Sequence, residues 1–249
     1  MRLLILGGTT EASALARALA GRDGVAPVLS LAGRTRNPAL PPIPHRIGGF
    51  GGAEGLADHL RRERVDAVVD ATHPFAARIS AHAVLASAAA GVPLLAFTRP
   101  SWRPRPGDRW TAVADLDAAA AALGPARTSA LLTVGRLGLA HFRAAPQHRY
   151  VIRTIDPPDP AELPPDHALV FDRGPFALDG EIALMRREGV EAVVTKNSGG
   201  AAAAAKLDAA RALGLRVIAV DRPRIAGERD EAETLDAVLH WIAVHRSGG

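Results

Sequence analysis

Four short polar stretches hold the residue types able to do chemistry, and each follows an apolar run and opens an alanine-rich one. The first is Gly7-Gly8-Thr9-Thr10-Glu11. Glycines let a backbone approach a phosphate, and a helix N-terminus offers free amides with a positive dipole end. The spacing is not G-x-G-x-x-G, so a tight turn capped by Thr10 stands as the alternative. The second is Ser30 with Arg34, Thr35 and Arg36. A site for an unphosphorylated ribose would place Asp or Glu there, whereas a hydroxyl and planar guanidinium forks suit a 2′-phosphate. An exposed arginine loop is the plainer reading. The third is Thr72-His73-Pro74, with Pro74 at a first helical position and Thr72 or His73 as cap. A lone histidine is more often structural than catalytic, so the stretch is expected mainly as a wall for ligand. The fourth is Lys196-Asn197-Ser198-Gly199-Gly200, with a similar turn at Gly135-Arg136. Lys196 and Lys206 are the only lysines among 30 basic residues, which draws attention to a lysine kept inside a glycine loop.

Other chemistries lack their residues. No cysteine is present, which removes thiolate catalysis and cysteine-based metal sites. The G-x-S-x-G elbow, the Walker loop and H-E-x-x-H are absent, and no metal site is expected. Four residues after Tyr150 stands Thr154 rather than a lysine, so the Tyr-x-x-x-Lys pair is missing too. Leu123, Leu131 and Leu137 are expected in the core.

Elements that could position these stretches alternate along the chain. Strands are expected at Leu3–Leu6, Pro27–Leu31, His45–Ile47, Ala67–Asp70 and Pro93–Phe97, separated by helices at Glu11–Ala20, Glu54–Arg64 and Pro74–Ala90. Short apolar strands without alternation fit a parallel sheet buried on both faces. The segment Thr98–Asp108 carries three prolines and a glycine and reads as a boundary. A second series follows, with strands at Ala130–Val134, Tyr150–Arg153, Ala168–Phe171, Ala192–Thr195 and Val217–Val220. Between them come a loop and helix over Gly135–Ala144 and helices at Phe176–Glu188 and Ala201–Leu213, before a closing amphipathic helix at Glu231–Arg246. The expected fold is α/β, with two parallel-sheet halves and a cleft between them. The expected domains are residues 1–98, 99–230, and a tail 231–249 able to pack on either half.

The 249 residues carry a formal net charge of +4, yet the isoelectric point is near 10.5. With so few lysines and tyrosines, little titrates between about pH 8 and 11. The high value therefore reports missing titrating groups rather than a dense positive field, and argues against nucleic acid as partner. Apolar runs are too short for a membrane span or a signal peptide, so a cytoplasmic protein is expected, as a monomer or weak oligomer.

Taken together, LILGGTTEA, DATHPFA, TRPSW after LLAF, TKNSGG, KLDAARALG and VDRP resemble the precorrin-6A reductase family of cobalamin biosynthesis. The likeness runs nearly end to end. It implies two Rossmann-like halves, the first for NADPH, and reduction of a ring double bond of the tetrapyrrole precorrin-6A to precorrin-6B. It sets Gly8, Thr9 and Glu11 against the cofactor pyrophosphate and nicotinamide side, and the turn's own chemistry adds Gly7 and Thr10 as cofactor contacts. Ser30, Arg34 and Thr35 come near the adenosine phosphate, where the guanidinium of Arg36 is expected from its residue type, with Thr72, His73 and Pro74 as a further wall. The macrocycle would meet Gly135, Arg136 and Lys196–Gly200, with Arg99, Arg136, Arg153 or Arg222 pairing its carboxylates. Glu11, His73, Lys196 and Ser198 are candidate proton donors beside water. The alternatives are a reductase of another small molecule and a module that senses NADPH without turnover.

Overall fold

A computed structural model describes residues 1–33 and 42–247. Arg34, Thr35 and Arg36, expected at a phosphate, lie outside the described residues. In chain order the elements are β1 (Arg2–Leu6), α1 (Thr10–Leu19), β2 (Ala26–Leu31), β3 (His45–Ile47), α2 (Ala53–Arg62), β4 (Ala67–Asp70), α3 (Ala77–Ala90), β5 (Leu94–Phe97), β6 (Arg109–Val113), α4 (Leu116–Ala121), β7 (Ser129–Thr133), β8 (Arg149–Thr154), β9 (His167–Phe171), α5 (Leu178–Arg187), β10 (Ala192–Lys196), α6 (Ala205–Ala212), β11 (Arg216–Val220), β12 (Asp230–Ala232) and α7 (Leu235–Ser247). They form two compact units, Met1–Pro100 with Pro223–Gly249, and Ser101–Arg222.

The first unit holds a six-stranded sheet in the order β3-β2-β1-β4-β5-β12. Every neighbouring pair is parallel. Parallel strands need covered faces, and the alternation of β1 supplies both. Leu3 and Ile5 pack with Leu15 and Leu19 of α1 and with Val238 and Ile242 of α7. Leu4 and Leu6 pack on the other face with Leu56 and Leu60 of α2 and with Ala83 and Val84 of α3. Each such leucine, fully buried, stabilises the fold by about 1.5–3 kcal/mol. The chain runs outward from β1 to β3, then returns to the far side of β1 as β4. That reversal is the switch point at which doubly wound sheets bind ligands beyond the carboxyl ends of their strands.

The second unit repeats the plan, in the order β9-β8-β7-β10-β11-β6, again all parallel. Its centre is β7, flanked by β8 and β10. Leu131, Val151, Val193 and Val217 of this sheet pack with Leu184 and Met185 of α5 and Leu207 of α6.

Several expectations shift. Residues 223–230, assigned by sequence to the second half, belong to the first unit, because β12 pairs with β5 and draws the chain there. The closing helix α7 packs in the same unit. The helix expected from Pro74 begins only at Ala77, with Ala76 as a cap whose side chain bonds nothing. Over Gly135–Ala144 the chain makes two 3₁₀ turns rather than an α-helix. Leu123 and Leu131 are core residues, but Leu137 stands 65% exposed in the first of those turns.

Candidate functional site

Register brings the carboxyl ends of three strands of the first unit together. Leu6 at the end of β1 pairs with Ser30 on one side and Asp70 on the other, so the segments after β1, β2 and β4 emerge side by side. The Gly7 amide donates to the Ser30 carbonyl at 2.9 Å, and the Ala71 amide to the Leu6 carbonyl at 2.9 Å. A Cβ on Gly7 would come within 2.5 Å of Leu29 Cδ1. Gly8 has φ +115°, a backbone conformation that side chains disfavour, and a Cβ there would meet no described atom within 4 Å.

The helix cap is Thr9, not Thr10. Its Oγ1 accepts from the Ala12 amide at 3.1 Å and donates to the Ala71 carbonyl at 2.7 Å. One hydroxyl thus both starts α1 and fastens the β1 turn to the β4 turn. The amides of Thr10 and Glu11, in the first turn, have no acceptor within the helix. Glu11 places a carboxylate at this positive end, but its Oε2 accepts from Arg99 Nη1 at 2.8 Å and from Thr10 Oγ1 at 3.1 Å. The arginine offsets the acid, which leaves the turn suited to an anion. An open glycine, first-turn amides and a compensated carboxylate fit a nucleotide phosphate.

The β4 turn is internally braced. Asp70, buried, accepts on Oδ1 from the Thr72 amide at 3.1 Å and the Thr72 hydroxyl at 2.6 Å. His73 is exposed, and its Nδ1 accepts from the Phe75 amide at 3.2 Å. Thr72 therefore shapes the turn, while His73 stands at its surface.

Ser30 is buried at the end of β2, and Arg46 of β3, its register partner, donates to Ser30 Oγ at 2.8 Å. Arg46 is not among the residues expected from the sequence. Its signal was present, since an arginine on a short strand beside β2 falls where the ribose end of a dinucleotide is expected.

In the second unit the turns after β7 and β10 hold equivalent places, because Thr133 pairs with Thr195 as Leu6 pairs with Asp70. Gly135 falls at the place of Gly8 and also has positive φ, +75°. In the β10 turn the Ser198 amide donates to the Lys196 carbonyl at 2.7 Å, and Gly199 and Gly200 have φ +70° and +86°. Burial pushes the Lys196 ammonium below its ordinary value.

Asn197 serves this loop rather than its face. Its Oδ1 accepts from the Trp102 amide at 2.8 Å and its Nδ2 donates to the Trp102 carbonyl at 3.1 Å. Trp102 Nε1 donates to the Gly200 carbonyl at 3.0 Å, and Lys206, buried, lies 4.5 Å over the tryptophan ring. Arg222 donates to the carbonyls of Asn197 and Ser198 at 3.0 and 3.1 Å. Arg153, another candidate for substrate carboxylates, is buried against Glu181 and stacked 3.8 Å over Phe176. These residues brace the edge of the sheet. Apolar surface at the same edge was not foreseen. Phe171, the last residue of β9, and Ile155, one residue past β8, are 55% and 53% exposed, beside exposed Leu137 after β7.

Among the described residues no helix is long and apolar enough to cross a membrane. Residues 2–243 match the family model described as Precorrin-6x reductase CbiJ/CobK. The chain is 53% identical over 244 residues to Precorrin-6A reductase of Rhodobacter capsulatus, covering 98% of this chain and 96% of that protein. It is 31% identical to Cobalt-precorrin-6A reductase of Priestia megaterium, covering 90% and 91%. A solved structure titled CobK precorrin-6A reductase superposes with TM-score 0.92 at 54% identity, covering 98% of this chain and 97% of that one. Matching from end to end in both sequence and fold, the chain belongs to the precorrin-6x reductase family, a family of oxidoreductases.

Proposed function

We propose that this protein reduces a ring double bond of precorrin-6A to give precorrin-6B, with NADPH as the hydride donor. Family membership makes it a reductase and calls for a nicotinamide cofactor. The observation that carries the assignment of that cofactor to the first unit is the Thr9 hydroxyl bridge. It holds the Gly8 turn and the β4 turn together at the switch point. Gly7, Gly8, Thr9 and Thr10 would hold the pyrophosphate through backbone amides, and Thr72, His73 and Pro74 would wall the nicotinamide side. Ser30, where a carboxylate would select NADH, favours a 2′-phosphate. When bound, NADPH supplies the two electrons as a hydride to a macrocycle carbon, and a proton from solvent completes the addition to a neighbouring atom.

On the second unit, exposed Leu137, Ile155 and Phe171 give a flat tetrapyrrole an apolar rest. Arg136, Lys196 and the Ser198–Gly200 backbone would meet its carboxylates. Positioning supplies most of the rate on this reading, and Glu11, His73, Lys196 and Ser198 orient ligands rather than act as an indispensable acid. The higher identity to the relative named for precorrin-6A, 53% against 31% for the one named for cobalt-precorrin-6A, favours the metal-free macrocycle. We take the enzyme to act in the cytoplasm as a monomer.

The test is anaerobic mixing with precorrin-6A and either NADPH or NADH, followed at the nicotinamide absorbance band. Oxidation of NADPH alone supports the reading. Equal rates with NADH remove the NADPH preference. Binding of NADPH without oxidation by precorrin-6A or its cobalt form turns the reading to a sensing module.

A further inference from the structure

Among the described residues, Arg46 is held by neutral partners. Its Nη1 donates to Ser30 Oγ at 2.8 Å and to the Gly48 carbonyl at 3.0 Å, and its Nη2 to the Gly49 carbonyl at 3.0 Å. The guanidinium lies 4.0 Å over the Phe50 ring. These contacts fix the plane of the fork yet consume only part of its five N–H donors. No carboxylate among the described residues pairs with it, and the adjoining stretch 34–41, RTRNPALP, contains no acid. A second arginine, Arg62, acts on it from nearby and is itself paired with Glu63 at 3.1 Å. Burial, and then the positive charge of Arg62, push Arg46 below the ordinary arginine value. His59 is likewise pushed down, by burial first and by Arg46 next.

A half-buried guanidinium without a counter-charge among the described residues is costly unless an anion completes it. Its place says which anion. Ser30 and Arg46 are register partners at the carboxyl ends of β2 and β3, where sheets of this winding receive the adenosine ribose. The Ser30 hydroxyl accepts from Arg46, so its own proton is directed elsewhere and can donate.

We propose that Arg46, with the Ser30 hydroxyl, binds the 2′-phosphate of NADPH and sets the preference for NADPH over NADH. This rests on the reading of the first unit as the NADPH site. The competing role is a staple for the Gly48–Gly49 turn, which would support either dinucleotide equally.

The test compares the full-length protein with Arg46→Gln and Ser30→Asp. Affinities are measured for NADPH, NADH, adenosine 2′,5′-bisphosphate and 5′-AMP, with thermal unfolding as the check on folding. Loss of a charged hydrogen bond to phosphate should weaken NADPH and the bisphosphate by about ten- to a hundredfold in Arg46→Gln. NADH and 5′-AMP should change by less than about threefold. Ser30→Asp keeps Arg46 but supplies a carboxylate, and should lose NADPH while keeping NADH. The proposal is overturned if the native protein prefers NADPH and both variants keep its preference, or if NADPH and NADH weaken together. A native protein with no preference would instead remove the NADPH reading itself, and this proposal with it.

Discussion

The side chain of Asn197 pairs with both backbone groups of Trp102, accepting from its amide at 2.8 Å and donating to its carbonyl at 3.1 Å. The amide acts as one rung of a ladder between the β10 turn and the chain entering the second unit. Asn197→Ala would leave that amide and carbonyl without partners in a half-buried place, costing about 1–3 kcal/mol. The glycine turn it anchors should loosen. The expected result is a lower unfolding midpoint and a KM for the macrocycle raised about tenfold, with NADPH affinity unchanged. Denaturation, nicotinamide fluorescence titration and steady-state rates check it. Unchanged KM in a destabilised protein would reduce Asn197 to a fold residue.

Glu11 and Arg99 form an ion pair at 2.8 Å, each side chain less than a fifth exposed, at 19% and 17%. Glu11 is a candidate proton donor by residue type, but its carboxylate is occupied by an arginine and by Thr10. Its inferred work is to hold Arg99 and to neutralise the helix end. Glu11→Gln should lower turnover by less than about tenfold and leave the pH–rate profile in place, since a single general acid is worth about a hundredfold or more. A double-mutant cycle with Arg99→Gln should show about 1 kcal/mol of coupling. Loss of more than about a thousandfold in Glu11→Gln, with both ligands still bound, would make Glu11 the acid.

Gly7 and Gly8 are adjacent and should fail differently on substitution. Gly7→Ala sets a Cβ 2.5 Å from Leu29 Cδ1, so the leucine must move and the cost falls on packing. Gly8→Ala meets no described atom within 4 Å, so its fold cost is mainly backbone strain, about 1–2 kcal/mol. Its Cβ would, however, stand in the space proposed for phosphate. Gly8→Ala is therefore expected to weaken NADPH more than tenfold while lowering stability modestly. Isothermal titration beside chemical denaturation separates the two. Equal binding by Gly8→Ala and native protein would move the phosphate elsewhere.

What could be read from residue order, and what could not, follows from burial. Strands such as Ala67–Asp70 announce themselves because both faces are covered and the run is unbroken. The edge strands β6 (RWTAV) and β12 (DEA) are largely exposed, so they carry no apolar run and were missed. With them went the return of residues 223–230 to the first unit. Helix α4, LDAAAA, was lost for another reason, since alanine shows little periodicity. At the site, glycine turns after strands were legible because their chemistry is local. Partnerships across long separations, Arg46 with Ser30 or Trp102 with Asn197, depend on register that no single stretch records. Leu137 is expected in the core because composition cannot tell a buried leucine from an exposed one.

Stability should also carry a signature of His148, which has no exposed surface and an Nδ1 without a partner among the described residues. Burial, the largest cause, holds its imidazole below the ordinary value, against a smaller opposing effect of the Gly124 carbonyl. The folded protein therefore binds this proton less readily than the unfolded chain, whose histidines titrate near about pH 6.5. As pH falls through that value, the unfolded state gains a proton that the folded state refuses, and stability drops until the depressed folded value is reached. The slope is at most about 1.4 kcal/mol per pH unit for this one group. His59, shifted in the same direction but less enclosed, adds a smaller share. His148→Phe would keep the edge-on contact with the Tyr150 ring, now 6.0 Å between centroids, and remove the titration. Urea unfolding across about pH 7.5 to 5 should then show a flatter fall for the variant than for the native protein. An unchanged slope would place the acid sensitivity elsewhere in the fold.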